Sequence, residues 1–168
     1  MGGGSGGGIP IGDINRLSER AKEKLREGSE GSSRNVFISF AYEDVDEVNL
    51  LRGQSKNENT DLEFSDYSVK EAFDSTNADY IRRQIREKID RVSVTAVYLS
   101  DHSADSKWVN WEIEESLKRG KGVIGVYKGD YPPSQLPQAF KDNNLKCVRW
   151  SHEQLSQAIA EASQKRQE

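Results

Sequence analysis

Residues 94–113 read VTAVYLSDHSADSKWVNWEI. Val94 to Leu99 is a short run of apolar and β-favouring residues with no polar alternation, the pattern of a strand buried on both faces. A polar turn follows, and then Ser106-Lys107-Trp108-Val109-Asn110-Trp111-Glu112-Ile113 opens a helix. In a protein built of strands feeding helices, ligands bind beyond the carboxyl ends of the strands. Here that end carries a carboxylate, Glu112, one helical turn after Trp108. Trp108, Glu112 and Ser116 form one stripe at i, i+4 and i+8. A carboxylate sharing a stripe with an indole is partly desolvated, which is the setting of a functional acid. Glu114 and Glu115 read as ordinary solvated neighbours. Trp108 and Trp111 read either as packing residues or as walls for a flat ring.

The same alternation extends in both directions. Val36 to Phe40 (VFISF), Leu62 to Phe64, Gly122 to Tyr127 and Leu145 to Trp150 are further strand candidates. Helical spacing appears in Asp44 to Arg52 (Val45, Val48, Leu51), in Ala78 to Arg91 (Ile81, Ile85, Ile89, then Val92), and in Gln154 to Lys165. Thr76 or Asn77 is placed to cap the second of these. The Trp108 to Arg119 helix stops at Gly120, and Tyr131 to Pro137 is a proline-rich loop. Five strands separated by helices predict a flavodoxin-like α/β three-layer sandwich. Its parallel sheet would have the order 2-1-3-4-5, with helices on both faces. The switch point between the first and third strands predicts a crevice lined by Phe40 to Asp44, by Ser100 to Ser103 and by the start of the Trp108 helix, with Glu112 facing it. Ahead of this domain (34–168) stand a flexible Gly/Ser-rich tail (1–12) and an amphipathic helix (13–27) carrying Ile14, Leu17, Ala21 and Leu25.

Composition narrows the function. The 168 residues suffice for one core, and the net charge of -4 argues against a general nucleic-acid binder, which needs a basic face. No apolar run approaches the ~20 residues that span a bilayer, so no membrane partner is expected. The single cysteine, Cys147, excludes an internal disulfide, reads as a buried structural thiol and fits a reducing, cytoplasmic setting. There is no phosphate loop, no GxGxxG after the first strand, no nucleophile elbow, and no histidine–cysteine set spaced for zinc. Glu43, Asp44, Asp46 and Glu47 follow the first strand. They read as a helix start favoured by negative charge or, with Asp101 and Lys128, as a magnesium-holding receiver site. The former is the simpler reading, and no metal is expected.

VFISFAYED at the first strand, the DYS turn at 66–68, the VYLS strand end and the Trp-x-x-x-Glu helix together resemble TIR domains. More narrowly, they are similar to the bacterial TIR-like branch that includes the nucleotide-signal-producing proteins of Thoeris antiphage defence. The similarity runs over roughly Arg34 to Trp150. It implies cleavage of NAD⁺ as substrate, with no separate cofactor, and it maps the required glutamate onto Glu112. The chemistry suits that residue: breaking the nicotinamide–ribose bond builds an oxocarbenium ion that a carboxylate stabilises. Water attack gives ADP-ribose; attack from within the same molecule gives a cyclic product and requires that water be excluded.

The resemblance places Phe40, Ala41 and Tyr42 against the nucleotide, Ser68 at a ribose or phosphate, and Trp108 against a base or the nicotinamide ring. Arg52 and Lys70 are candidate pyrophosphate partners or solvated surface cations. It also implies self-association into an oligomer or filament and a downstream effector that senses the product. The polar segment 61–75 is longer than many TIR loops at that place. The competing reading is a non-catalytic TIR-like scaffold that self-associates, and a third is a nucleotide or flavin binder.

Overall fold

The computed structural model describes residues 34–57, 62–69 and 71–165. The expected tail (1–12), the expected helix (13–27) and Lys70 lie outside the described residues. The elements, in chain order, are β1 (Arg34–Ser39), a 3-10 turn (Tyr42–Asp44), α1 (Val45–Asn57), β2 (Leu62–Ser65), α2 (Ala78–Asp90), β3 (Val94–Tyr98), α3 (Lys107–Lys118), β4 (Gly122–Tyr127), α4 (Gln138–Asp142), β5 (Cys147–Arg149) and α5 (His152–Lys165). Every strand pairing is parallel, and the sheet order is β2-β1-β3-β4-β5. This is the flavodoxin-like arrangement that the sequence pattern predicts.

Strand alternation distributes the core over the two faces of the sheet. Val36, Ile38 and Phe40 of β1 and its exit, with Ile124 and Val126 of β4, pack against Val48 and Leu51 of α1 and against Leu155, Ala158, Ile159 and Ala162 of α5. Phe37 looks the other way, onto Ile81, Ile85 and Ile89 of α2. Val97 and Val123 on that second face meet Val109 and Ile113 of α3 and Phe140 of α4. The three isoleucines of α2 are buried because their four-residue spacing keeps them on one stripe.

Several expected boundaries shift. The first helix runs to Asn57, five residues beyond its predicted end, and the last strand shrinks to Cys147–Arg149. The short α4 after Pro137 is an addition, since five residues are too few to show a helical period. Asn77 holds the N-cap position of α2 but makes no side-chain cap bond. In α3 the cap is made by Ser106, whose Oγ accepts a hydrogen bond from Val109 N at 3.2 Å. Gly120 ends α3 at φ 72°, a backbone state that costs glycine little. Cys147 is half-buried rather than fully buried, and burial raises its thiol pKa, so it stays a poor nucleophile. Among the described residues no helix is long and apolar enough to cross a membrane.

Gly122 marks a close approach of α5 to the sheet. A Cβ there would sit 2.6 Å from the Ala162 carbonyl oxygen and 2.8 Å from its carbon. Those are backbone atoms of a packed helix and have no rotamer to escape into. Gly122→Ala should therefore cost about 1–3 kcal/mol, read as a lowered urea midpoint with an unchanged m-value.

Candidate active site at the sheet switch point

The chain leaves β1 and β3 in opposite directions, and the gap between their carboxyl ends opens a cleft of about 440 Å³. That volume is typical of small-molecule sites. Phe40 and Tyr42 line it from the β1 exit, Tyr67 and Val69 from the segment after β2, and Trp108 and Glu112 from α3. The crevice expected from topology alone is therefore present. Its upper rim comes from a stretch that sequence reading left as a polar loop.

Each candidate has a definite place. Phe40 is buried at the cleft wall, and Tyr42 stands 44% exposed at its mouth. Ala41 does not reach the cleft: its side chain is fully buried among Val97, Leu99 and Val109, and its carbonyl accepts the Asp44 N–H at 2.9 Å, closing the 3-10 turn. Ser68 is exposed, outside the cleft lining, and donates to Asp66 Oδ2 at 3.1 Å. Arg52 also lies elsewhere, pairing with Asp66 and donating through Nη2 to the Phe64 carbonyl at 2.8 Å.

Trp108 is fixed from three sides. Its Nε1 donates to the Glu71 carbonyl at 2.9 Å, Phe73 meets it edge-on at 4.9 Å, and Trp111 does so at 5.9 Å. The Arg82 guanidinium lies 4.3 Å from the Phe73 ring centroid and 5.6 Å from that of Trp108. The indole thus pins the segment after β2 onto α3 while showing one surface to the cleft.

The two lips of the crevice are tied together as well. Ser100 Oγ donates to the buried Asp44 carboxylate across 56 residues of sequence. Ser103 Oγ donates to the Ser100 carbonyl at 3.0 Å, and the His102 N–H donates to Ser100 Oγ at 3.0 Å. Burial raises the Asp44 pKa, opposed by the Ser100 hydrogen bond and by the charge of His102. Asp44 is turned inward onto Ser100, and Glu47 pairs with Lys128 at 3.3 Å. Among the described residues, no three metal-ligating side chains converge.

The decisive contrast lies within α3, which carries two buried glutamates. Glu115 is 7% exposed and is neutralised by Arg119 at 3.3 Å and Arg86 at 3.6 Å. The expectation that it is solvated is thereby corrected: two arginines from the α2–α3 side draw it in. Glu112, 2% exposed, has no ion pair among the described residues. Burial is the main cause that lifts its pKa well above the usual carboxylate range, and the negative charge of Asp66 adds to it. The hydroxyl of the fully buried Ser39 on β1 faces this carboxyl and favours its charged form. Glu112 is therefore held by packing and by its backbone carbonyl, which accepts Ser116 Oγ at 2.7 Å, while Ser116 Oγ pairs with Thr95 Oγ1 of β3 at 2.8 Å. A buried carboxyl without a countercharge at a cleft floor is poised to answer a positive charge brought by a ligand.

Opposite stability effects follow for the two glutamates. The folded state holds Glu112 neutral where the unfolded chain ionises it. Its cost is absent below about pH 4 and grows as pH rises from there toward the raised folded value. Glu112→Gln should therefore raise Tm at pH 7–8, by about 2–4 °C for each kcal/mol relieved, with the gain vanishing on acidification. Glu115→Gln should lower stability at neutral pH by about 1 kcal/mol, seen as a lower Tm, because it removes the ion pairs with Arg86 and Arg119. Thermal melts from pH 4 to 8 check both signs.

Comparison with known proteins agrees with this geometry. Residues 37–131 match the family described as Thoeris protein ThsB, TIR-like domain. A Bacillus cereus (strain MSX-D12) protein named "Putative cyclic ADP-D-ribose synthase ThsB1" is 29% identical over 99 residues, 56% of this chain and 52% of that one. The chain thus spans about half the length of this relative. In fold, it is similar to the crystal structure of the TIR domain of the Toll-related receptor TRR-2 from Hydra magnipapillata. That likeness has a TM-score of 0.50 at 15% identity and covers 81% of this chain and 100% of that one. The matched span contains the β1 exit, the β3–α3 turn and Glu112 together, and the chain belongs to the TIR-like domain family of Thoeris ThsB proteins.

Proposed function

We propose that this domain cleaves the nicotinamide–ribose bond of NAD⁺, as a hydrolase or a cyclase, to make a nucleotide signal in bacterial antiphage defence. The observation that carries the reading is Glu112: a buried carboxyl with no described countercharge, on the floor of the switch-point cleft beside Trp108. A pure scaffold gains nothing from this costly arrangement. The family and the name of the Bacillus cereus relative support the same choice.

NAD⁺ brings a positive pyridinium nitrogen. As it enters, its charge favours ionisation of Glu112, and the displaced proton leaves to solvent. The C1′–N bond then breaks, both electrons going to the ring nitrogen, so nicotinamide departs neutral. The ribosyl oxocarbenium ion left behind is stabilised by the Glu112 carboxylate at short range in a poorly solvated wall. Attack by water on C1′, with loss of its proton, yields ADP-ribose. Attack by a nucleophile of the same dinucleotide yields a cyclic product, and the apolar surround of Phe40, Val69 and Trp108 favours that course by limiting water. Self-association into an oligomer, a cytoplasmic setting and a downstream effector that reads the product complete the proposal.

Incubation of the full chain with NAD⁺ under activating, assembled conditions should release nicotinamide, with the second product resolved by chromatography. Glu112→Gln should reduce the rate by at least about 10²-fold. The acid limb of kcat/KM should rise with pH and lie above the ordinary carboxylate range, because the free enzyme must lose the Glu112 proton. Equal release from both proteins, or none from either, would overturn the catalytic reading in favour of the scaffold.

A further inference from the structure

Among the described residues that line the cleft, the carboxylates outnumber the groups able to carry positive charge. Glu43, Glu71, Asp101 and Asp105 line it at exposed positions, and Glu112 lies on its floor. No lysine or arginine is among the described lining residues, and none of the four rim carboxylates forms an ion pair with a described cation. Among the described lining residues, His102 is the one able to carry positive charge. The start of α3 would otherwise attract a phosphate, but Ser106 already caps it through Val109 N and Asp105 stands just before it. An acidic rim alone would describe only a solvated surface. The floor adds a second, independent observation: Glu112 is 98% buried, opens onto the cleft and has no ion pair among the described residues. A desolvated carboxyl left without a countercharge favours a ligand that supplies one.

We propose that this cleft selects its ligand by charge, accepting an N-substituted pyridinium cation between Tyr42, Trp108 and the four rim carboxylates and leaving the phosphates of a dinucleotide outside the rim. The inference rests on the reading of Glu112 as the carboxylate at the anomeric carbon and adds the specificity of the site. Glu71 and Asp105 are its specificity determinants. A focused negative field raises the local concentration of a cation and repels an anion. It also gives the reaction a direction: cleavage turns the pyridinium into neutral nicotinamide, which loses its attraction at the moment it becomes a product.

The test uses the full chain and three small probes of nearly one shape: 1-methylnicotinamide (cation), nicotinamide (neutral) and nicotinate (anion). Binding is followed by NMR shift perturbation at low and high salt. The expected order is cation, neutral, anion, with about threefold to tenfold between steps at low salt and a smaller spread at high salt. The double variant Asp105→Asn, Glu71→Gln should compress that spread, with Glu43→Gln as a second variant should the double one melt early. In turnover, the same variant should raise KM for nicotinamide riboside and lower it for NAD⁺, whose phosphates it no longer repels. Equal binding of the three probes, tighter binding of nicotinate, or an unchanged order and spread in both variants would overturn the proposal. If the probe order holds while neither NAD⁺ nor nicotinamide riboside is cleaved, charge selection stands and the catalytic reading falls. If NAD⁺ is cleaved while the probes bind alike, the reverse is true.

Discussion

The pairing of β1 with β3, in the register Val36↔Val94 to Ser39↔Val97, sets the geometry of the whole upper end of the molecule. Because the strands are parallel neighbours whose connections go to opposite sides, the chain departs from both ends and leaves space between. The same register puts Ser39 beside the α3 helix and Phe40 at the cleft wall. Nothing in the loops could make this space without that strand order. The loops decide what it is lined with.

Helix α3 carries two solutions to one electrostatic problem. Glu115 shows how the fold treats a buried carboxylate that serves structure: it brings two guanidinium groups and anchors α3 through Arg119 to Asp90 at 2.7 Å. Glu112, one turn nearer the cleft, receives nothing comparable. Such asymmetry within twelve residues argues that the missing countercharge is a property of the site and not a failing of the packing. Proteins keep unfavourable local arrangements where activity needs them, and the remaining core carries the cost. Here that core is ample: both sheet faces are sealed by aliphatic side chains of α1, α2, α3 and α5.

The fold was legible because its signals are strong and redundant. Apolar runs without alternation mark buried parallel strands, and the isoleucines of α2 declare one face. Strand order then follows from the commonest way of winding five such strands. Glu112, Trp108, Phe40 and Tyr42 were legible as cleft residues because strand ends and a helical stripe place them there. The Ala41 side chain turns into the core because alternation at a strand exit sends one side chain inward for each that reaches the cleft. Ser68 lies outside the cleft lining while Tyr67 and Val69 line it, an orientation the sequence could not give because the segment after β2 has no period. Glu115 read as solvated because its partners, Arg86 and Arg119, come from two different helical stretches, and their convergence exists only after α2 and α3 pack. The acid rim was visible as letters, but its closure into one ring needed three loops brought together in space.

Trp108 touches the cleft with one surface, donates its N–H to the Glu71 carbonyl, and stacks edgewise with Trp111. The third tryptophan, Trp150, stacks with Phe64 among the residues that cover the other sheet face. One of the three indoles therefore lines the cleft, a helical turn from Glu112, and a second meets it edge-on. The molecule consequently contains its own chromophore for occupancy: its ultraviolet emission is an intrinsic optical gauge of the cleft, free of any attached dye.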